Sequence, residues 1–220
     1  MFPRLILLDF DGVIIESVGI KDQAFEELYR DYPQFSSQIM AYHLSHNATI
    51  RYDKFRYIAE DILKEPYDSQ KEKELSKKFS NLVFDKLVRC PFVEGAVEFL
   101  EYFSRQLPLY LISISPENEL LKILNARSLE GYFKEVYANP PSKSEAFKKI
   151  LASEQVDASE SVYIGDTPED YQAATTTGIP FIGRKSGKKF PEGDFPVFKD
   201  MWGVKNFVDN LKVKKNFFQC

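Results

Sequence analysis

The chain has 220 residues, 44% of them hydrophobic and 28% charged, the composition of an ordinary globular protein with ample material for a core. A net charge of −4 argues against a general nucleic-acid binder, and no apolar run approaches the length of a membrane span. Cys90 and Cys220 match neither a metal-site spacing nor a disulfide framework, and the opening "MFPRLILLDFDG" lacks the features of a signal peptide, so a cytoplasmic location is expected.

Residues 4–9 are continuously apolar up to Asp9, as expected of a strand covered on both faces of a parallel sheet. Residues 17–31, 52–64 and 69–89 then repeat apolar residues at helical spacing, for example Phe55, Ile58, Ala59 and Ile62. Pro91 breaks the pattern. From there the texture alternates: helix 96–105, apolar run 107–114, helix 117–126, strand 134–139, helix 143–153, strand 161–166, helix 169–177, strand 179–183. Such alternation predicts βαβ units and a parallel sheet with right-handed crossovers. The expected architecture is therefore an α/β Rossmann-like core from residues 1–15 and 92–220, interrupted by an all-helical unit over 16–91. The Gly-, Pro- and Lys-rich stretch 183–196 reads as a solvated loop.

Ligands of open parallel sheets bind beyond the carboxyl ends of the strands, so the residues at those ends deserve collection. The first strand delivers Asp9 and Asp11, the second run Ser113 and Ser115, the third leads through "NPPSK" to Lys143, and the fourth gives Asp166 and Asp170 in "GDTPED". Several carboxylates on one rim repel, and Mg²⁺ is a natural counter-charge because it accepts oxygen ligands from carboxylates, water and phosphate. A hydroxyl and an ammonium beside them would hold phosphate oxygens, and Lys143 would also offset the charge of Asp9. The set suits phosphoryl transfer, with one aspartate as nucleophile and a second, two residues on, moving protons. Each residue alone has a plainer reading: Asp9 and Asp11 a turn, Ser113 a strand residue, Lys143 an exposed helix start, Asp170 a helix N-terminus.

Taken in order, "DFDGVI" (9–14), "LISIS" (111–115), Lys143 in "PPSKSEAF" and "IGDTPEDYQAA" (164–174) resemble the haloacid dehalogenase superfamily, in the branch with a helical cap inserted after the first strand. The resemblance spans nearly the whole chain. It implies Asp9 as nucleophile and metal ligand, Asp11 as general acid and base with a backbone carbonyl on the metal, Ser113 and Lys143 as phosphate-binding groups, and Asp166 as acidic metal ligand. Asp170 would be the supporting acid at the metal, acting through water or by a hydrogen bond to Lys143. The acid at position 11 implies phosphate-ester chemistry, since the dehalogenating and phosphonate-cleaving branches lack it.

In the cap, "HNATIRYDKF" (46–55) falls where relatives carry a specificity loop, so Arg51 is a candidate substrate contact, with Asn47 near the loop's glycine position. Lys21 falls where related sugar-phosphate mutases carry a histidine and is a second candidate. His43 and His46 are read as ordinary polar residues. Glu16 departs from the Asp or Asn more usual there, and Ile114 from a small or amide residue. The expected activity is a Mg²⁺-dependent phosphatase acting on a small phosphorylated metabolite, with no nucleic-acid or membrane partner. The alternatives are a mutase like beta-phosphoglucomutase and a binding protein on the same fold.

Overall fold

The computed structural model describes residues 3–46 and 49–216. Asn47 of the expected specificity loop, and the tail residues Phe217, Phe218 and Cys220, lie outside the described residues.

β1 (Leu5–Leu8) has every side chain buried, and so have β2 (Leu109–Ser113), β4 (Ser161–Gly165) and β5 (Phe181–Arg184). A strand buried on both faces needs helices above and below, and the sequence supplies them between strands. With β3 (Glu135–Ala138) and the short β6 (Val197–Phe198), the strands form a parallel sheet in the order β3-β2-β1-β4-β5-β6 among the described residues. Register is set by Leu8, which lies opposite Leu111 on one side and Ile164 on the other. The fold class is thus the Rossmann-like α/β arrangement that the alternating elements predict.

The described residues divide into two compact units. One joins the segment ending at Glu16 to the segment beginning at Pro91, and the other is Ser17–Cys90. In the first, Leu5, Leu7, Ile112 and Tyr163 pack on Phe147 and Ile150 of α7 (Lys143–Glu154) and Ala174 of α8 (Pro168–Thr177). Each fully buried aliphatic or aromatic side chain contributes about 1.5–3 kcal/mol. The unit also holds α5 (Ala96–Phe103), α6 (Glu117–Ala126) and α9 (Met201–Asn216), the last unassigned from sequence, with Met201, Val204 and Val208 buried.

The second unit comprises α1 (Val18–Leu28), α2 (Ser36–Ser45), α3 (Arg51–Tyr57), a π-helical turn (Ile58–Leu63) and α4 (Ser69–Arg89). Asp68 caps α4, accepting from the amides of Gln70 and Lys71. Phe25, Phe55 and Phe79 meet at its centre, with ring centroids 4.9–6.1 Å apart. Among the described residues no helix is long and apolar enough to cross a membrane.

Candidate active site

β1 is the pivot of the sheet: β2 and β3 extend on one side of it and β4 to β6 on the other. Chain connections diverge there, leaving a crevice beyond the carboxyl ends of β1 and β4, and such reversal points are where open α/β sheets bind ligands. Asp9 follows β1 and Asp166 follows β4, so both carboxylates enter that crevice directly from buried strands.

Asp170 arrives by a different route. Thr167 caps α8, its hydroxyl accepting from the Asp170 amide at 3.2 Å, while Asp170 Oδ2 accepts from the Thr167 amide at 3.0 Å. This reciprocal box, followed by Pro168 in the first turn, fixes the helix start and the carboxylate together. Gly165 makes the approach possible: a Cβ there would lie 2.4 Å from Asp170 Cβ.

Carboxylate oxygens of Asp9, Asp166 and Asp170 all lie within 4.8 Å of one another, and all three residues are buried. Lys143 Nζ bridges two of them, at 3.0 Å from Asp9 Oδ2 and 2.6 Å from Asp170 Oδ1. Tyr163 completes this bridge. Its hydroxyl donates to Asp170 Oδ1 at 2.7 Å and accepts from Lys143 at 3.0 Å.

One ammonium does not balance three buried carboxylates. Burial, opposed by Lys143 but reinforced by the charges of Asp170 and Asp11, pushes the Asp9 carboxyl up to about 7. Burial and the charges of Asp170 and Asp9 likewise hold Asp166 well above the usual carboxylate range. For Asp170, burial acts upward, but the Lys143 charge and the hydrogen bonds from Lys143, Tyr163 and Thr167 outweigh it, and its carboxyl lies below the usual range. Lys143 stays firmly protonated, because Asp170 and Asp9 overcome the effect of its burial.

The donor set is oxygen only, crowded and short of positive charge, which fits a hard divalent cation. Asp170 is already saturated: Oδ1 binds Lys143 and Tyr163, and Oδ2 binds the Asp166 amide and both the amide and hydroxyl of Thr167. Asp9 accepts fewer bonds, from the Phe10 amide at Oδ1 (2.8 Å) and from Lys143 at Oδ2 (3.0 Å), so its oxygens are less occupied than those of Asp170.

Ser113 is buried at the end of β2, where its Oγ accepts from the Ser115 amide at 3.2 Å. Asp11 lies close enough to Asp9 to raise it by charge, on a turn in which Gly12 takes a φ of +73°. Arg51 and Lys21 belong to the helical unit. Arg51 is buried, donates to Ser80 Oγ at 3.1 Å and stacks 5.1 Å above the Phe79 ring. Lys21 is half-buried in the first turn of α1, its amide bonded to the Ser17 carbonyl.

Sequence reasoning missed four residues here. Tyr163 reads as one more apolar strand residue, and no local signal marks its hydroxyl. Gly165 and Thr167 are legible only once Asp170 is placed. Ser186, from the stretch read as a solvated loop, reaches the Asp166 carbonyl at 3.4 Å. In the helical unit, His43, read from sequence as an ordinary polar residue, packs in the interior. It is buried, stacks on Phe25 with centroids 3.8 Å apart, and lies 2.9 Å from Asp22 and 3.3 Å from Lys54.

Residues 6–184 match the family model of the haloacid dehalogenase-like hydrolases. The chain belongs to this family. It is therefore a hydrolase with the family's α/β core, and the four motifs fall within the matched span. Among solved structures, a predicted phosphoglycolate phosphatase from Haemophilus somnus superposes with a TM-score of 0.73 at 18% identity, covering 97% of this chain and 99% of that one. The magnesium-bound YfnB hydrolase from Bacillus subtilis gives a TM-score of 0.72 at 15% identity over 95% and 100% of the two chains. A candidate beta-phosphoglucomutase from Thermotoga maritima gives 0.68 at 17% over 94% and 99%. Among curated protein sequences none matches the chain significantly.

Proposed function

We propose that this hydrolase is a Mg²⁺-dependent phosphatase of a small phosphorylated metabolite, working through an aspartyl-phosphate on Asp9. The observation that carries the reading is the charge-deficient cluster of Asp9, Asp166 and Asp170 at the sheet's pivot, bridged by Lys143. The magnesium in YfnB and the likeness to a predicted phosphoglycolate phosphatase accord with it.

In this reading Asp9, Asp166 and the Asp11 backbone carbonyl hold the cation, which supplies positive charge to the phosphate oxygens and lowers both raised carboxyl pKa values. Asp170 holds Lys143 and the Asp166 loop rather than the ion. Lys143 and Ser113 bind the remaining phosphate oxygens. Asp9 attacks phosphorus, the bond from phosphorus to the leaving oxygen breaks, and Asp11 gives that oxygen its proton. Asp11 then takes a proton from water, the water oxygen attacks phosphorus, and the bond to Asp9 breaks to release inorganic phosphate. The helical unit serves as a cap that selects the substrate, with Arg51 and Lys21 as its candidate contacts. A cytoplasmic location suits the metal and the thiols.

Phosphate release from a panel of sugar phosphates, phosphoglycolate-like acids and nucleoside monophosphates, with Mg²⁺ or with chelator, tests the reading. Metal-dependent release from at least one member is expected. Isomer formation without net release, in the presence of a bisphosphate activator, would replace the phosphatase by the mutase.

A further inference from the structure

The turn that carries Asp11 is closed by backbone bonds: the Gly12 amide donates to the Ile15 carbonyl at 2.8 Å and the Ile14 amide to the Phe10 carbonyl at 2.9 Å. Its far end is tied to the returning chain, with the Glu16 amide on the Pro91 carbonyl at 3.0 Å and the Val93 amide on the Ile14 carbonyl at 3.0 Å. Glu16 and Pro91 are the residues at which the chain leaves and re-enters the α/β unit.

A side chain from a distant strand spans this turn. Arg184, the last residue of β5, is 6% exposed. Its Nη1 donates to the Gly12 carbonyl and to Glu16 Oε2, each at 3.0 Å, and its Nη2 pairs with Glu16 Oε1. One guanidinium fork therefore links the residue after Asp11 to the residue that ends the segment. The pair is poorly built as a stabiliser. Arg184 Nε is buried with no hydrogen-bond partner, and the Glu16 side chain is 40% exposed. A buried guanidinium with an unsatisfied donor, paired to a half-exposed carboxylate, recovers its desolvation cost badly, whereas a planar fork on two anchors fixes geometry well.

We infer that Arg184 is a positioning residue for Asp11, with Glu16 as its anchor. The guanidinium enters from β5 and meets both oxygens of the Glu16 carboxylate while still reaching the Gly12 carbonyl. The inference rests on the phosphatase reading for its catalytic consequence, although the clamp itself does not.

The test compares wild type with Arg184→Met, Glu16→Gln and Arg184→Lys. kcat/KM is measured on β-glycerol phosphate, whose alcohol needs a proton to leave, and on 2,4-dinitrophenyl phosphate, whose leaving group needs none. Amide hydrogen exchange is followed over residues 11–16, with melting temperature as a check on folding. Displacing a proton donor by about an ångström costs about 30-fold or more on the alkyl ester and under about threefold on the aryl ester. Faster exchange over the turn accompanies it. Arg184→Lys keeps the charge but loses the fork, so it is expected to behave like Arg184→Met, and Glu16→Gln to fall between the two and wild type. Equal losses on the two esters, or full recovery by lysine, would overturn the positioning role. Unchanged protection of residues 11–16 in folded Arg184→Met would overturn the clamp. Should wild type cleave neither ester, exchange alone decides the clamp, and the phosphatase reading stands or falls on the metabolite panel.

Discussion

The two units of this chain store information differently. In the α/β unit, a residue's place follows from counting along a strand: β1 is buried to Leu8, so Asp9 must emerge at its end, and Asp166 follows β4 in the same way. In the helical unit, periodicity says which face is buried and little about what a polar residue on that face does. Arg51 and His43 show the difference. Both are polar, both are buried against phenylalanines, and nothing in the spacing distinguishes a structural contact from a substrate contact. Strand ends write chemistry into short motifs, whereas helical faces write packing.

That contrast can be broken at several points. Gly165→Ala puts a methyl group where Asp170 sits, forcing the carboxylate and its Lys143 bridge out of place, so kcat is expected to fall about 100-fold while KM changes little. Steady-state kinetics on the best substrate checks this, and retained activity would mean that Asp170 is dispensable. Tyr163→Phe removes one hydroxyl from between Asp170 and Lys143. A cost of about 1–2 kcal/mol, or roughly tenfold in kcat, is expected with the fold intact by circular dichroism. Arg51→Met asks the same question of the helical unit. If Arg51 binds substrate, KM rises severalfold for the preferred substrate while kcat holds, as for uniform binding. A lower melting temperature with unchanged kinetics would instead make Arg51 a brace between Ser80 and Phe79.

The smallest effect is a linkage. Asp9 and Asp166 have folded-state pKa values above their unfolded ones, so their ionisation in the folded protein is unfavourable. Their contribution to the stability of the metal-free protein is greatest below about pH 4, the unfolded pKa. It declines as pH rises towards about 7, the folded value for Asp9. Mg²⁺ binds the ionised carboxylates, so it must compete with protons at lower pH. The gain in melting temperature from added Mg²⁺ should therefore be a few degrees larger at about pH 8 than at about pH 5.5. A gain independent of pH would place the ion elsewhere.

Strands β1 to β5, the helices between them and the carboxylates at the pivot were legible because buried parallel strands are short, continuous apolar runs whose ends are sharp, whereas α9 beyond the last of them was not assigned. What escaped did so for physical reasons. α2 buries only Ile39 and His43, so its apolar stripe is one residue wide and leaves little periodic signal. β6 is two residues long. Tyr163 carries its function on the tip of a ring whose body packs on Phe147, so its pattern is that of core. Arg184 closes a strand and pairs with a residue far away in sequence, and Glu16 could be marked as a departure but not given a partner.

The central claim is that phosphorus is bonded to Asp9 during turnover. Rapid acid quench of wild type with a saturating phosphorylated substrate and Mg²⁺, followed by peptide mass spectrometry, tests it directly, with Asp9→Asn in parallel. The account predicts a phosphorylated peptide spanning Asp9 in wild type, none in Asp9→Asn, and a fall in turnover of about 10³-fold or more in that variant. Phosphate on another residue, or undiminished turnover by Asp9→Asn, would contradict it.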